Sequence, residues 1–152
     1  MDNVLEFLRD WTREFIKSKN VMTKSILSMD NSGTELVVKH KDREQRVMII
    51  PFMNSYYEVL KELAGNEAMY LTVVTFNSDK SFKALLESWK ELVKFKNLNI
   101  YFANPFSMTD KKWIIYPHVH AKICDEDSLE LGLKSMFETV EKTTEEEIKS
   151  KL

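Results

Sequence analysis

Apolar residues recur at helical spacing from the start of the chain. Val4, Leu8, Trp11 and Phe15 form one stripe with Phe7 and Ile16 beside it, and Asn3 with Glu6 reads as a capping box. The period then changes. Val21 to Met29 reads as a strand, followed by the turn sequence Asp30-Asn31-Ser32-Gly33. Glu35 to His40 and Arg46 to Phe52 read as two more strands, joined by the polar stretch Lys41-Asp42-Arg43-Glu44. The run Val47-Met48-Ile49-Ile50 is apolar on both faces, as expected of a strand covered on both sides. Residues 21–52 therefore predict a three-stranded antiparallel meander.

Beyond the meander, helix and strand patterns alternate. Ser55 with Glu58 reads as a second capping box, Tyr56, Val59, Leu60 and Leu63 form an apolar face, and Gly65 suits the end of that helix. Tyr70 to Phe76 is a strand rich in β-branched residues. Phe82, Leu85, Leu86, Trp89, Leu92 and Val93 give the clearest amphipathic helix in the chain. Leu98 to Ala103 is the next strand, closed by Asn104-Pro105, and Trp113 to Cys124 reads as the last. Asp127 or Ser128 caps a final helix with Leu129, Leu133, Met136, Phe137 and Val140 inward. The order α-β-β-β-α-β-α-β-β-α predicts an α/β (α+β) fold. It is a single three-layer domain over 1–143, with a mixed sheet of about six strands and helices on both faces. The strand–helix–strand stretch at 70–103 predicts a parallel unit, and 144–152 reads as a charged tail.

Composition sharpens this picture. The 152 residues are 43% hydrophobic and 30% charged, the balance of a globular domain rather than a disordered or low-complexity chain. The three Gly are isolated, which excludes Gly-rich nucleotide-binding loops. The lone Cys124 excludes an internal disulfide and a zinc-ribbon site, and fits a reducing compartment. The start, Met1-Asp2-Asn3-Val4-Leu5-Glu6, has neither the basic nor the apolar region of a leader. The longest charge-free run, Asn97 to Thr109, is too short to cross a bilayer. The expectation is a cytoplasmic protein with no membrane partner.

Net charge is −2, so no global field draws the chain to polyanions. The charge is unevenly distributed, however. Seven Lys stand against Glu87, Glu91 and Asp110 between Lys80 and Lys112, and nine acids against Lys134 and Lys142 between Asp125 and Glu147. Lys39-His40-Lys41 is a basic strand end suited to phosphate contact.

The order of helix, three-stranded meander, helix and strand over residues 4–103 resembles the core of the PD-(D/E)xK, or restriction-endonuclease-like, superfamily. That resemblance implies an acid at the start of the second core strand and Glu/Asp-x-Lys on the third. Together these hold a divalent metal and activate water. Asp30 and Glu35 match the first acid and would be its metal ligands. The third strand, Val47-Met48-Ile49-Ile50-Pro51-Phe52, carries neither acid nor Lys, and Pro51 stands where the metal-binding acid belongs. The expectation is a nuclease-like fold with an incomplete catalytic set, acting as a nucleic-acid-associated or interaction module. No cofactor is required by the sequence.

A second concentration of chemistry lies at Pro117 to Cys124. Read as a strand, it sends Val119, Ala121 and Ile123 one way and His118, His120, Lys122 and Cys124 the other. His120, Lys122 and Asp127 spell H-x-K-x4-D, which resembles the phospholipase-D-like superfamily. That resemblance implies His120 as nucleophile on phosphorus, Lys122 as phosphate clamp and Asp127 as supporting acid. A working site needs two such motifs, so it also implies a homodimer. His118 and His120 could alternatively ligate a metal with Asp125, or the three basic side chains could be the polar face of an edge strand. A further alternative is a protein-binding subunit that uses the acidic C-terminal helix.

Overall fold

The computed structural model describes residues 3–152. Met1 and Asp2, part of the segment read as lacking a leader, lie outside them. The described residues form one mixed sheet of six strands with α-helices on both faces. The strands are β1 (Ile26–Ser32), β2 (Glu35–His40), β3 (Glu44–Ile49), β4 (Tyr70–Phe76), β5 (Leu98–Ala103) and β6 (Lys112–Ile115). Their spatial order is their chain order. β1, β2 and β3 pair antiparallel, β3–β4 and β4–β5 pair parallel, and β5–β6 is antiparallel. No helix among the described residues is long and apolar enough to cross a membrane.

Period-2 alternation in the strands sorts the apolar side chains into two cores. Leu71, Val73, Leu98, Ile100, Phe102, Trp113 and Ile115 face α2 (Tyr57–Gly65), α3 (Asp79–Leu92) and α5 (Leu129–Phe137). Leu36, Val38, Val47, Ile49, Val74, Phe76, Tyr101 and Ala103 face α1 (Asn3–Thr23) and Ile148 of α6 (Glu145–Lys151). The first core is the larger, because the two crossover helices and α5 share it.

Apart from shifted ends, as in the third strand, which is Glu44–Ile49 rather than Arg46 to Phe52, and the last long helix, which stops at Phe137 before Val140, four details differ from the sequence expectation. First, α1 runs on to Thr23 through Val21 and Met22, which the apolar pattern assigns to a strand. Extending an existing helix costs little per residue, and both side chains are exposed. The helix stops because Lys24 adopts φ 52 and Asn20 Oδ1 accepts the backbone N–H groups of Ser25 at 2.9 Å and Ile26 at 3.1 Å. Second, the Ser55–Glu58 capping box does not form. Tyr56 occupies the N-cap of α2 with no side-chain cap bond. Third, the last strand stops at Ile115, and α4 (Pro117–Ile123) replaces its second half. Tyr116 is extended, as a residue before proline must be, and Pro117 starts the helix where its missing N–H costs nothing. Val119 is 51% and Ile123 79% exposed, so the apolar alternation read there is not a buried face. Fourth, the charged end read as a tail carries α6, capped by Thr144 and held by the fully buried Ile148.

Candidate functional site

At the carboxyl ends of β4 and β5 the chain crosses the sheet, leaving a space of about 250 Å³ beside Asn104 and residues 141–151. The Asn77 side chain donates to the carbonyls of Phe137 at 3.1 Å and Val140 at 2.9 Å and accepts from Trp113 Nε1 at 2.8 Å. Asn104 Nδ2 donates to Glu141 O, and the Thr143 N–H donates to Asn77 O. Residues 137–143 are thereby sewn across the strand ends.

The opposite end is open. A pocket of about 380 Å³ lies between the last turn of α1 and the amino ends of the parallel strands. That volume falls in the small-molecule range of ~300–1,000 Å³. Lys19, Asn20 and Thr23 reach into it from α1, and Arg43, Lys96 and three tyrosines, Tyr70, Tyr101 and Tyr116, complete much of the wall. Among the described residues Asp42 is the one carboxylate in the lining, and it is bonded to Arg43 at 2.9 Å. Lys19 has no ion pair among the described residues. Its Nζ lies 5.6 Å from the Phe15 ring centre and 5.9 Å from that of Tyr101. Arg43 sits 5.3 Å over Tyr70.

The floor is a row of hydrogen-bonded side chains that crosses from the start of β1 to β5. Ser25 Oγ meets His40 Nδ1 at 2.9 Å, and His40 Nε2 meets Gln45 Oε1 at 2.9 Å. Gln45 Nε2 donates to Thr72 Oγ1 at 2.7 Å, and Thr72 Oγ1 donates to Asn99 Oδ1 at 2.6 Å. The sheet register builds this row. Gln45 lies opposite Tyr70, so Thr72 is its diagonal neighbour, and Thr72 lies opposite Asn99. All four strand positions fall on the α1 face, where a core built only for stability would continue the apolar pattern of Val47, Val74 and Tyr101.

The row has one direction. Because Gln45 presents its oxygen to His40, the ring donates to it from Nε2. From His40 onward each group donates toward β5, and the Asn99 side chain lies beside the Tyr101 phenol. Burial pushes that phenol up to about 12, with Tyr116 adding to the rise and Asn99 opposing it. Tyr101 is therefore a neutral hydroxyl throughout the physiological range.

Of the residues singled out from sequence, His40 sits in the centre of the row, while its neighbours Lys39 and Lys41 are exposed at the same end of the sheet. Asp30 is exposed on β1. Glu35 is held by Arg46, whose Nη2 bonds both carboxylate oxygens at 2.8 and 3.0 Å, and Arg46 also reaches Glu62 of α2. Glu35 pairs with Met48 near the end of β3, at the end of the strand away from the pocket. Among the described residues no three His, Cys, Asp or Glu converge as metal ligands do.

His118, His120 and Lys122 lie on α4 and do not share a strand face. Both histidine rings pack toward α3, through Trp89 and its C-cap Val93. His118 Nδ1 is bonded to Val93 O at 2.8 Å. His120 stands edge-on to Trp89 at 5.7 Å, and burial lowers its pKa. Asp127 is exposed in a short 3-10 turn, Glu126–Ser128.

Ser25, Gln45, Thr72 and Asn99 were not foreseen from the sequence. The available signal was a polar residue in each of two strongly apolar strands, Thr72 in Tyr70–Phe76 and Asn99 in Leu98–Ala103, at 1% and 9% exposure. Comparison with family models, curated proteins and solved structures finds no match for this chain.

Proposed function

We propose that this chain is a nucleic-acid-associated binding module built on a nuclease-like order of elements with an incomplete catalytic set. The observation that carries the reading is the open pocket at the amino ends of β3, β4 and β5, lined by Lys19, Arg43, Lys96 and three tyrosines against one carboxylate. Cations attract the phosphate backbone, and aromatic faces stack on bases of any sequence.

Two further points support it. The order α1-β1-β2-β3-α2-β4, with β1, β2 and β3 an antiparallel meander in the same sheet as β4, is the order on which the resemblance rests. Where the first metal-binding acid would act, Glu35 is committed to Arg46, and beyond Glu44 and Arg46 the rest of β3 runs out through Val47-Met48-Ile49 into Ile50-Pro51 without an acid or Lys. A carboxylate already paired with a guanidinium is a poor ligand until that pair is broken.

The test is fluorescence anisotropy with a labelled single-stranded oligonucleotide across a salt series. Binding is expected, with a log–log salt slope of about −2, from roughly −0.7 per phosphate and three cations. Absence of binding at low salt overturns the proposal. Incubation with Mg²⁺ is expected to leave the strand intact, and cleavage that EDTA abolishes would refute the incomplete catalytic set.

A further inference from the structure

We infer that the pocket captures one phosphate-bearing nucleotide unit, either a free mononucleotide or the phosphorylated end of a strand. This deepens the proposal above and rests on it for the class of ligand.

Size is the first argument. A volume of about 380 Å³ is small and walled on one side by a rigid sheet, which suits a single unit rather than a duplex segment. Charge is the second. Lys19 and Lys96 line the pocket without an ion pair among the described residues, so their charge is available to a phosphate. Lys19 is held over aromatic rings at the α1 side, which fixes it without neutralising it.

The third argument is the floor. A base is recognised by a fixed set of donors and acceptors along one edge, with its face against an aromatic or guanidinium plane. The row from Ser25 to Asn99 holds such groups in place, because the Gln45 and Asn99 amides each keep an N–H that the bonds within the row do not use. Its members sit on or beside adjoining strands rather than on mobile loops, and each orients the next. Tyr70, with Arg43 stacked on it, and Tyr116 stand exposed at the rim, where a base could slide between them and the floor. The phosphate would then face Lys19 and Lys96. This places the contact at the opposite end of the strands from Glu35 and Pro51.

Calorimetry with the four nucleoside monophosphates, the matching nucleosides and inorganic phosphate tests this directly. A monophosphate is expected to bind about tenfold or more tightly than its nucleoside and than inorganic phosphate. Lys19→Gln should erase the preference for monophosphate over nucleoside. Thr72→Val, which keeps the side-chain shape and breaks the row, should weaken both. Circular dichroism and melting establish that each variant folds, and Lys19→Gln, on an exposed side chain, keeps the test decisive if Thr72→Val does not. Equal affinity for monophosphate and nucleoside, inorganic phosphate binding as well as the monophosphates, or indifference to Lys19→Gln overturns the inference.

An oligonucleotide arm separates this idea from the broader reading. If oligonucleotides bind but neither a terminal phosphate nor Lys19→Gln matters, the nucleic-acid reading stands and the pocket inference fails. If monophosphates bind and oligonucleotides do not, the pocket inference stands and the nucleic-acid reading fails.

Discussion

The two ends of the parallel strands use the same chemistry to opposite effect. At the carboxyl ends, Asn77 and Asn104 spend their amides on the backbone of residues 137–143, and the Asn77 oxygen takes the Trp113 indole N–H. At the amino ends, Gln45, Thr72 and Asn99 bond to one another and leave a cavity above them. Open α/β sheets usually bind ligands at the carboxyl ends of their strands. Here the chain itself crosses that position, leaving a space of about 250 Å³ beside Asn104 and residues 141–151, while the cavity of about 380 Å³ lies at the other end. The lesson is that a buried amide bonded to backbone is a clamp, whereas a row of side chains bonded to each other under open space is a surface.

The largest effect should come from breaking the clamp. Asn77→Leu leaves the Val140 carbonyl and the Trp113 indole N–H without their side-chain partner, at ~1–3 kcal/mol each, and the Phe137 carbonyl with only the long bond from the Val140 N–H, so unfolding in denaturant should show a loss of about 2–5 kcal/mol. A loss below about 1 kcal/mol would mean that the segment is held by Phe137 and Val140 packing alone, and the contrast between the ends would collapse. Thr72→Val removes two bonds but inserts a methyl of similar shape, and should cost about 1–2 kcal/mol in the same measurement. A cost equal to that of Asn77→Leu would make the row a second clamp.

Smaller effects sharpen the open end. Lys24 holds φ 52, a conformation that disfavours any residue with a Cβ. Lys24→Gly should therefore raise stability by about 0.5–1 kcal/mol, seen as a higher melting temperature. No gain would place the strain elsewhere. The smallest effect concerns His120, behind the same end of the sheet. Burial depresses its pKa, so the fold favours the neutral ring. Its contribution is present above the ordinary value of 6.5 and is lost as pH falls through the folded value. Between about pH 7 and about pH 5 the wild type should lose more melting temperature than His120→Gln. Parallel curves would show that the ring's burial carries no energetic weight.

Much of the sheet was legible in the sequence, because Val47–Ile50, Tyr70–Phe76 and Leu98–Ala103 are apolar runs of strand length and α3 has an unbroken helical stripe. The C-terminal third was harder. Pro117 decides between strand and helix by a local preference that a period-2 pattern across His118 to Cys124 can mimic. The buried Ile148 of α6 is a single apolar residue among charges, too little for any periodic signal. Of the pocket, only His40 stood out, and for the charge of its neighbours. The rest of the row depends on strand register, which brings Gln45, Thr72 and Asn99 together from positions 27 residues apart in each step. No single stretch of sequence contains that arrangement.

Because the strands lie in space in the order in which they occur in the chain, the sheet can assemble by successive addition, each strand docking on the one just formed. Such a route needs few distant loop closures and favours rapid, vectorial folding. The late step is the distant one. Asn77 must wait for a partner 63 residues on, and Ile148 must reach the core that α1 has already entered. An intermediate with the sheet formed and the seam at residues 137–148 still open is the species that would expose apolar surface, so closing that seam is the step that ends its exposure.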